Sequence, residues 1–166
     1  MADTRDSVVK VVATMYRNLL VFTNGRVGGR LAGMESLILT TIGRRSGEKR
    51  EVVLSAPICD DEMIVLVASW GGGPKHPQWF LNLQANPEVE VFHRGDTLAM
   101  VARIAEGEER AELWRRATAV YPNYDDYQAK TDRQIPVVVL TSAERRGTAR
   151  RGTRRAPAAN RGRAHR

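Results

Sequence analysis

The sequence predicts a mainly β, α+β fold: a small antiparallel barrel of about six strands with inserted helices. Two observations indicate this fold. Six short runs rich in β-branched and other apolar residues are bounded by turn-forming residues. Most links between these runs are also short, which suits antiparallel neighbours better than a doubly wound parallel sheet, whose strands need long crossover connections.

The chain has 166 residues, and its charge is unevenly placed. Residues 144–166 hold nine arginines and one acid and carry +8, whereas residues 1–143 hold 17 basic and 18 acidic groups and carry −1. The tail also lacks large apolar side chains, which predicts disorder. We therefore expect an N-terminal helix and connector at 1–34, the barrel domain at 35–143, and a disordered arginine-rich tail at 144–166.

The first elements are one helix and three strands. Apolar residues recur every three or four positions over 7–21, which is typical of an amphipathic helix, and the glycine-rich residues 23–33 follow as a connector. Strands are predicted at 37–42, 51–58 and 63–68, with a tight polar link at 59–62.

The remaining elements are a short helix, a hairpin, a longer helix and a last strand. Pro77 suits the first turn of the short helix, which carries Trp79, Phe80 and Leu83 on one side. The hairpin is predicted at 89–93 and 98–104 with its turn at 94–96, the longer helix at 108–120, and a buried strand at 135–141. On the longer helix, we expect one face to carry Ala111, Trp114, Ala117 and Thr118.

The most informative stretch for function is the loop after the first strand. Gly43 and Gly47 allow the backbone to turn its N–H groups toward one point. Positive charge and a hydroxyl come from Arg44, Arg45, Lys49, Arg50 and Ser46. The loop therefore predicts an anion-binding site, and the alternative is a hairpin turn whose charges face water. It matches neither a P-loop nor a dinucleotide-binding glycine motif.

Two further stretches suggest a site for a flat ligand. In residues 69–83, three successive glycines allow close approach to the backbone, and the helix start near Pro77 offers N–H groups; the alternative is ordinary core beside a flexible loop. Three of the four tyrosines, Tyr121, Tyr124 and Tyr127, recur at a spacing of three. They could stack on an aromatic ligand and donate a proton, or simply form a packing edge.

Other chemistry finds little support. The histidines His76, His93 and His165 lack metal-ligand spacing, so we expect no metal. Cys59 lies beside two acids, which disfavour a thiolate nucleophile. We find neither a nucleophile elbow nor a catalytic triad, so a bound cofactor would have to supply the reactivity. With no membrane-spanning run and no signal peptide, the protein is expected to be cytoplasmic.

Taken in order, these stretches resemble the deazaflavin-dependent nitroreductase family of actinobacteria, split β-barrels that use coenzyme F420. The resemblance extends over residues 35–141. It is carried by residues 39–47, Ser69 with Gly71 and Gly72, and residues 77–87, 108–112, 121–128 and 131–137. It implies an F420H2-dependent oxidoreductase of the quinone reductase or nitroreductase type, with FMN as the weaker alternative cofactor.

The resemblance also implies a set of site residues. Arg44, Arg45, Ser46 and Arg50 would hold the phosphate and glutamate tail of the cofactor. The deazaflavin and its side chain would be lined by Val52, Val53, Leu54, Ser55, Val67, Ala68, Ser69, Trp70, Gln78, Trp79, Phe80, Leu81 and Asn82. Tyr121, Tyr124 and Tyr127, with Ser55, would form the substrate pocket. Tyr124 would lie closest to the cofactor, and Tyr124 or Ser69 would supply a proton.

Two departures limit what the resemblance implies about substrate. Ser55 stands where the best-studied branch has a tyrosine, and Trp70 replaces a basic residue beside the ring site. The implied reaction is hydride transfer from reduced F420 to a small electron-poor acceptor, such as a quinone, an enone or a nitroaromatic.

Three alternatives stay open from the sequence. A protein of this fold could bind F420 or FMN without turnover, or the tail could bind polyanions without sequence specificity. The N-terminal helix and tail could also attach weakly to an anionic membrane at its inner face, although a helix packed on the barrel is the simpler expectation. The sequence does not distinguish a monomer from a homodimer.

Overall fold

The computed structural model describes residues 14–19, 21–23 and 29–144. Residues 14–19 and 21–22 are helical, within the amphipathic helix predicted at 7–21. The predicted start of that helix, most of the connector and the tail from residue 145 lie outside the described residues. None of the described helices is both long enough and apolar enough to cross a membrane.

One antiparallel sheet of eight strands forms the body of the described chain. Its strands are β1 (Arg30–Leu31), β2 (Met34–Ile42), β3 (Lys49–Ala56), β4 (Ile58–Cys59), β5 (Ile64–Val67), β6 (Glu88–His93), β7 (Asp96–Ile104) and β8 (Val137–Ser142). The six longer strands are the six predicted ones. β1 and β4 were not predicted because two residues cannot show a periodic pattern.

The sheet curls into a half-barrel around β2. The strand order is β1, β2, β6, β7, β8, β5, β4, and β3 pairs with β2 outside this path. All eight residues of β3 pair with β2, from Lys49 opposite Ile42 to Ala56 opposite Glu35. Because β3 also contacts β5, the sheet closes on itself instead of lying flat, as the antiparallel barrel prediction requires.

Short turns fix the strand connections. The β6–β7 hairpin turns through Arg94 and Gly95, which both have left-handed backbone angles of φ +51° and +95°. Two successive left-handed residues make the kind of turn whose twist matches the twist of the flanking strands. The predicted hairpin is thus confirmed, with a turn one residue shorter than expected.

Three complete helices accompany the sheet: α1 (Gln78–Ala85), α2 (Gly107–Val120) and α3 (Asn123–Ala129), with a 3₁₀ turn at Trp70–Gly72. α1 starts directly after Pro77 and buries Trp79, Phe80 and Leu83 against the inner face of the sheet, as predicted. α3 contains Tyr124 and Tyr127, and Tyr121 lies just before it.

β8 is covered by protein on both faces, which explains why its sequence is continuously apolar. Val138 and Leu140 pack in the inner core with α1, whereas Val137 and Val139 pack on the other face beside Leu113 of α2. A strand covered on both faces has no solvent side, so alternation disappears. The predicted face of α2 was partly wrong. The helix buries Leu113 and Ala117, Trp114 and Thr118 are half-buried, and Ala111 is exposed.

Candidate functional site

A cavity of about 430 Å³ opens between the loop after β2, the start of α1 and the Trp70–Gly72 turn. It brings together nine of the residues that the sequence singled out: Arg44, Arg45, Ser46, Arg50, Val52, Trp70, Gln78, Trp79 and Asn82. The lining also includes Gly43 of the predicted anion-binding loop, and Thr41 and Glu51, which were not named as ligand contacts. Glu51 lies outside the quoted motifs, and its place beside the cavity follows from the pairing of β3 with β2.

The loop that joins β2 to β3 closes on its own backbone. The Gly43 N–H donates to the Glu48 carbonyl at 2.8 Å, and the Gly47 N–H donates to the Gly43 carbonyl at 2.8 Å. The Glu48 N–H donates to Ser46 Oγ at 3.3 Å. These three N–H groups are therefore used inside the loop, and the expectation that the loop turns its backbone N–H groups toward one anion stays a prediction. The cationic side chains of the loop are the more direct means of holding an anion.

Asn82 of α1 anchors the start of this loop. Its side chain is buried, and its Oδ1 accepts hydrogen bonds from the Arg44 N–H at 3.2 Å and from Arg44 Nη1 at 3.1 Å. Its Nδ2 donates to Thr41 Oγ1 at 3.3 Å. One buried amide thus fixes the end of β2, the loop backbone and one guanidinium at the cavity.

The charges near the loop divide between the two faces of β3. Arg50 lines the cavity, as do Glu51 and Val52 after it, whereas Lys49 does not. Lys49 Nζ pairs with Glu90 at 2.8 Å, so it does not belong to the cationic group expected here. Arg50 donates to Ser46 Oγ at 3.3 Å and to Glu48 at 2.7 Å.

The cavity therefore carries three guanidinium groups, those of Arg44, Arg45 and Arg50, and one carboxylate, that of Glu51. Glu51 is paired with Arg17 of the N-terminal helix at 2.5 Å. Arg45 has no ion-pair partner among the residues that the structure describes. The local charge is positive, and the exposed guanidinium of Arg45 is free to meet an anion.

The opposite wall is the 3₁₀ turn at Trp70–Gly72. Trp70, Gly71 and Gly72 all have left-handed backbone, with φ of +49°, +62° and +81°. A Cβ on Gly72 would lie 2.7 Å from the Tyr127 carbonyl oxygen, and one on Gly73 would lie 2.6 Å from Trp70 Cδ1. Two of the three glycines therefore serve protein packing, and only Gly71 faces open space, which differs from the predicted close approach of a ligand.

The tyrosines form a separate cluster outside the cavity lining. Tyr124 is buried with Met34, Val67 and Ile135, and its hydroxyl donates to Met34 Sδ at 3.4 Å. Burial raises the pKa of Tyr124 far above its ordinary value, which makes it a poor proton donor. Tyr121 and Tyr127 are half-buried beside it, with their hydroxyl oxygens 3.3 Å apart. The tyrosine cluster lies apart from the residues that line the cavity, and the expectation that Tyr124 lies closest to the cofactor stays a prediction.

The other residues implied by the resemblance lie outside the cavity lining. Ala68, Phe80, Leu54 and Leu81 belong to or pack against the inner core. Val67 belongs to the tyrosine cluster, and Ser69 is half-buried just before the turn. Val53 and Ser55 are half-buried on β3, where Ser55 is paired with Ser36.

A second polar cluster lies at Cys59. Its Sγ is 3.9 Å from His93 Nε2, which is in turn 3.1 Å from Glu35 Oε2. Burial, followed by the Glu35 charge, raises the pKa of the Cys59 thiol, so a thiolate is disfavoured for a reason the sequence did not show. Within the described residues, no group of three His, Cys, Asp or Glu side chains could hold a metal ion.

The donor set of the cavity fits a phosphate-bearing planar cofactor. Three guanidiniums and the Ser46 hydroxyl lie at one end, and Val52 with the largely buried Trp79 supplies apolar surface next to them. The curled antiparallel sheet and its cationic cavity together define the class: a split-barrel protein with a site suited to an anionic planar ligand.

Comparison with known proteins identifies the family. The profile of the F420H(2)-dependent quinone reductases matches residues 9–142. The chain therefore belongs to the F420H2-dependent quinone reductase family, oxidoreductases whose cofactor is coenzyme F420. An F420H(2)-dependent quinone reductase of Mycobacterium tuberculosis is 38% identical over 123 residues, which cover 72% of this chain and 82% of that protein.

Solved structures agree with this membership. An F420-H2 dependent reductase, FDR-A, is 44% identical with a TM-score of 0.58, covering 63% of this chain and 92% of its own. Another chain, described as a domain-swapped dimer, is 37% identical with a TM-score of 0.61, covering 82% of this chain and 98% of its own. The split-barrel fold is thus confirmed.

Proposed function

We propose that this protein reduces a quinone with reduced F420 in the cavity between the β2–β3 loop and the Trp70–Gly72 turn. The observation that carries the proposal is the arrangement of Arg44, Arg45 and Arg50 at one end of a cavity whose other walls include Val52 and Trp79. Positive charge beside apolar surface suits a cofactor that joins a flat ring to an anionic tail.

Each wall has a distinct part in this proposal. The guanidiniums of Arg45 and Arg50, with the Ser46 hydroxyl, would bind the phosphate and carboxylates of the cofactor through charge-assisted hydrogen bonds. Arg44 would do so from the fixed position that Asn82 gives it. Val52, Trp79 and Trp70 would enclose the ring, and Gln78 would offer its side-chain amide to polar ring atoms.

When bound, reduced F420 supplies a hydride at C5 of its deazaflavin ring. The protein's task is then to hold the acceptor beside that ring and to exclude water, so no side-chain base with a shifted pKa is needed. The accompanying proton would come from Ser69 or water. Tyr124 is a less suitable source because its hydroxyl is buried and donates to Met34.

The experiment is a titration of the purified protein with F420, followed by cofactor fluorescence, together with steady-state reduction of a naphthoquinone, an enone and a nitroaromatic. We expect saturable binding and the highest kcat/KM for the quinone. The variant Arg45→Met should weaken F420 binding about tenfold through loss of one charge-assisted contact. Its matched control, Lys49→Met, removes a cation on the other face and should bind F420 normally.

Absence of saturable binding would contradict the proposal. Binding without turnover of any acceptor would favour a carrier role, and tighter binding of FMN would favour a flavin protein. A higher kcat/KM for the enone or the nitroaromatic would change the acceptor class. Deletion of residues 144–166 should leave activity intact and remove any binding to DNA, and loss of activity would show that the tail contributes to the site.

The N-terminal helix supports a finer proposal about assembly. Tyr16 hydrogen-bonds Ser36 at 3.0 Å and Arg17 pairs with Glu51, so the helix packs on the barrel. Met15, Leu19 and Phe22 recur on its other side and are exposed, Phe22 by 91%. We propose that this apolar face meets a second copy of the chain, as suggested by the relative described as a domain-swapped dimer.

Light scattering after gel filtration tests this assembly. We expect a dimer whose dissociation constant rises when Phe22 is changed to Ser. A monomer that sediments with anionic liposomes in a Phe22-dependent way would instead place this face on a membrane. A monomer that does not sediment with liposomes would contradict both the dimer and the membrane contact.

A further inference from the structure

The turn at the mouth of the cavity has two hydrogen bonds of its own, from the Gly72 N–H to the Ser69 carbonyl and from the Gly73 N–H to the Trp70 carbonyl, both at 3.0 Å, yet it contains a strained residue. Trp70 adopts a left-handed backbone at φ +49°, a conformation that a residue with a bulky side chain rarely adopts. Its side chain is 66% exposed, so burial does not hold it in place. Such a conformation persists only when surrounding groups determine it.

Arg133 supplies those surrounding contacts from the segment just before β8. Its Nη2 donates to the carbonyl oxygens of Ser69 at 2.7 Å and Ala68 at 3.2 Å, and its Nη1 donates to Ala68 at 3.2 Å. Its Nε donates to the Gly73 carbonyl at 2.9 Å. One planar guanidinium therefore hydrogen-bonds the backbone on both sides of Trp70.

Arg133 holds the turn through backbone carbonyls, and among the described residues no carboxylate takes part in these contacts. Within the described residues Arg133 forms no ion pair, and its other acceptor is His76 Nδ1 at 3.2 Å. The His76 ring in turn packs on Phe80 of α1, with ring centroids 4.9 Å apart. Arg133 is thus connected to two walls of the cavity, the turn and the first helix.

The turn also packs against α3. The Gly72 backbone packs so closely on Tyr127 that a Cβ there would lie 2.7 Å from the Tyr127 carbonyl oxygen. Together, the contact of Gly72 with Tyr127 and the hydrogen bonds of the Arg133 guanidinium restrict the backbone around Trp70. The indole lies against Gly73 and lines the cavity, so the restrained backbone sets the point from which it projects.

We propose that Arg133 is a positioning residue for the reductase site: through the carbonyls of Ala68, Ser69 and Gly73 it holds the Trp70 indole as a fixed wall beside the cofactor ring. The proposal rests on the assignment of this cavity to F420 made above. Trp70 is then a contact residue for the ring, and Arg133 acts only through it.

The test is a double-mutant cycle with Arg133→Met, Trp70→Ala and the combination, with Arg115→Met as control. Arg115 is an exposed arginine whose ion-pair partner in the described part of the chain is Glu112. If Arg133 acts through Trp70, the two effects are coupled and not additive. We expect Arg133→Met to raise the F420 dissociation constant about tenfold in the wild-type background and less than about twofold in the Trp70→Ala background.

Hydrogen exchange of the protein alone gives a second readout that needs no cofactor. The amides of residues 69–73 should exchange at least about tenfold faster in Arg133→Met, with slower exchange restored in part by Arg133→Lys, since lysine keeps the charge but not the planar fork. Arg115→Met should leave these amides unchanged. If Arg133→Met does not fold, Arg133→Lys takes its place in the cycle.

Unchanged exchange at residues 69–73, or equal effects of the Arg133 substitution in both backgrounds, would overturn the proposal. Failure of the wild-type protein to bind F420 would instead overturn the site assignment. The exchange result would then still decide whether Arg133 holds the turn.

Discussion

Two glycine-containing loops face each other across the cavity, and they are stabilised in different ways. The β2–β3 loop is closed by hydrogen bonds among residues 43–48, and neighbouring elements bind it through Asn82 and Arg50. The Trp70–Gly72 turn also has two local bonds, but its position depends in addition on Arg133 and Tyr127, which lie about sixty positions away. A loop closed locally can be predicted from a short stretch of sequence, whereas a loop closed by distant groups cannot.

The largest expected effect concerns the second loop. Gly72→Ala should lower the free energy of unfolding by about 3 kcal/mol, because the left-handed backbone and the contact with Tyr127 both oppose a Cβ. Gly71→Ala is the matched control, since Gly71 has φ +62° but nothing within 4 Å of an added Cβ, and should cost about 1 kcal/mol. Urea unfolding measures both. Equal costs would mean that the turn is not held against α3.

The first loop should depend most on its contact with the buried Asn82 side chain. Asn82→Ala leaves the Arg44 N–H and the Thr41 hydroxyl without their buried partner, so we expect a loss of about 2 kcal/mol in stability and weaker F420 binding. Asn86→Ala is the control, because the Asn86 side chain, just after the same helix, accepts a bond from the exposed Glu88 N–H and does not contact the loop. If Asn82→Ala bound F420 normally, Arg44 would not need its anchor.

A smaller effect is expected behind the second loop, at Tyr124. Tyr124→Phe removes only the hydroxyl that donates to Met34, so stability should change by less than about 1 kcal/mol and kcat by less than about threefold. The measurement is steady-state quinone reduction at saturating F420. A drop of about a hundredfold in kcat would restore Tyr124 as the proton donor.

The same contrast explains how much the sequence could show. The six long strands and α1 follow from apolar periodicity and from Pro77, which are local signals. The cationic loop was also visible, but the opposite directions of Lys49 and Arg50 follow only from the β2–β3 register. Arg133 could be quoted as part of a motif, yet its role depends on a contact with residues 68–73 that no spacing rule shows. The burial of Tyr124 likewise comes from the way α3 packs on the sheet.

The smallest expected effect is a pH dependence of the second loop. Burial first, and then the nearby Arg133 charge, lower the pKa of His76 below its ordinary value of 6.5. The unfolded chain therefore binds a proton at His76 at a higher pH than the folded protein does, so stability from this group is full above about pH 6.5 and falls as the pH drops through the lower folded pKa. Protonation would also place a second cation against Arg133 and remove the acceptor Nδ1.

Hydrogen exchange of residues 69–73 at pH 5 and pH 7, corrected for intrinsic rates, measures this effect. We expect lower protection at pH 5 in the wild type and a smaller difference in His76→Asn, whose amide oxygen can accept from Arg133 without titrating. The amides of residues 43–48 serve as the internal reference, because their bonds involve no histidine. Equal pH dependence of the two loops would mean that His76 does not orient Arg133, and that protonation of His76 leaves the contacts of the second loop unchanged.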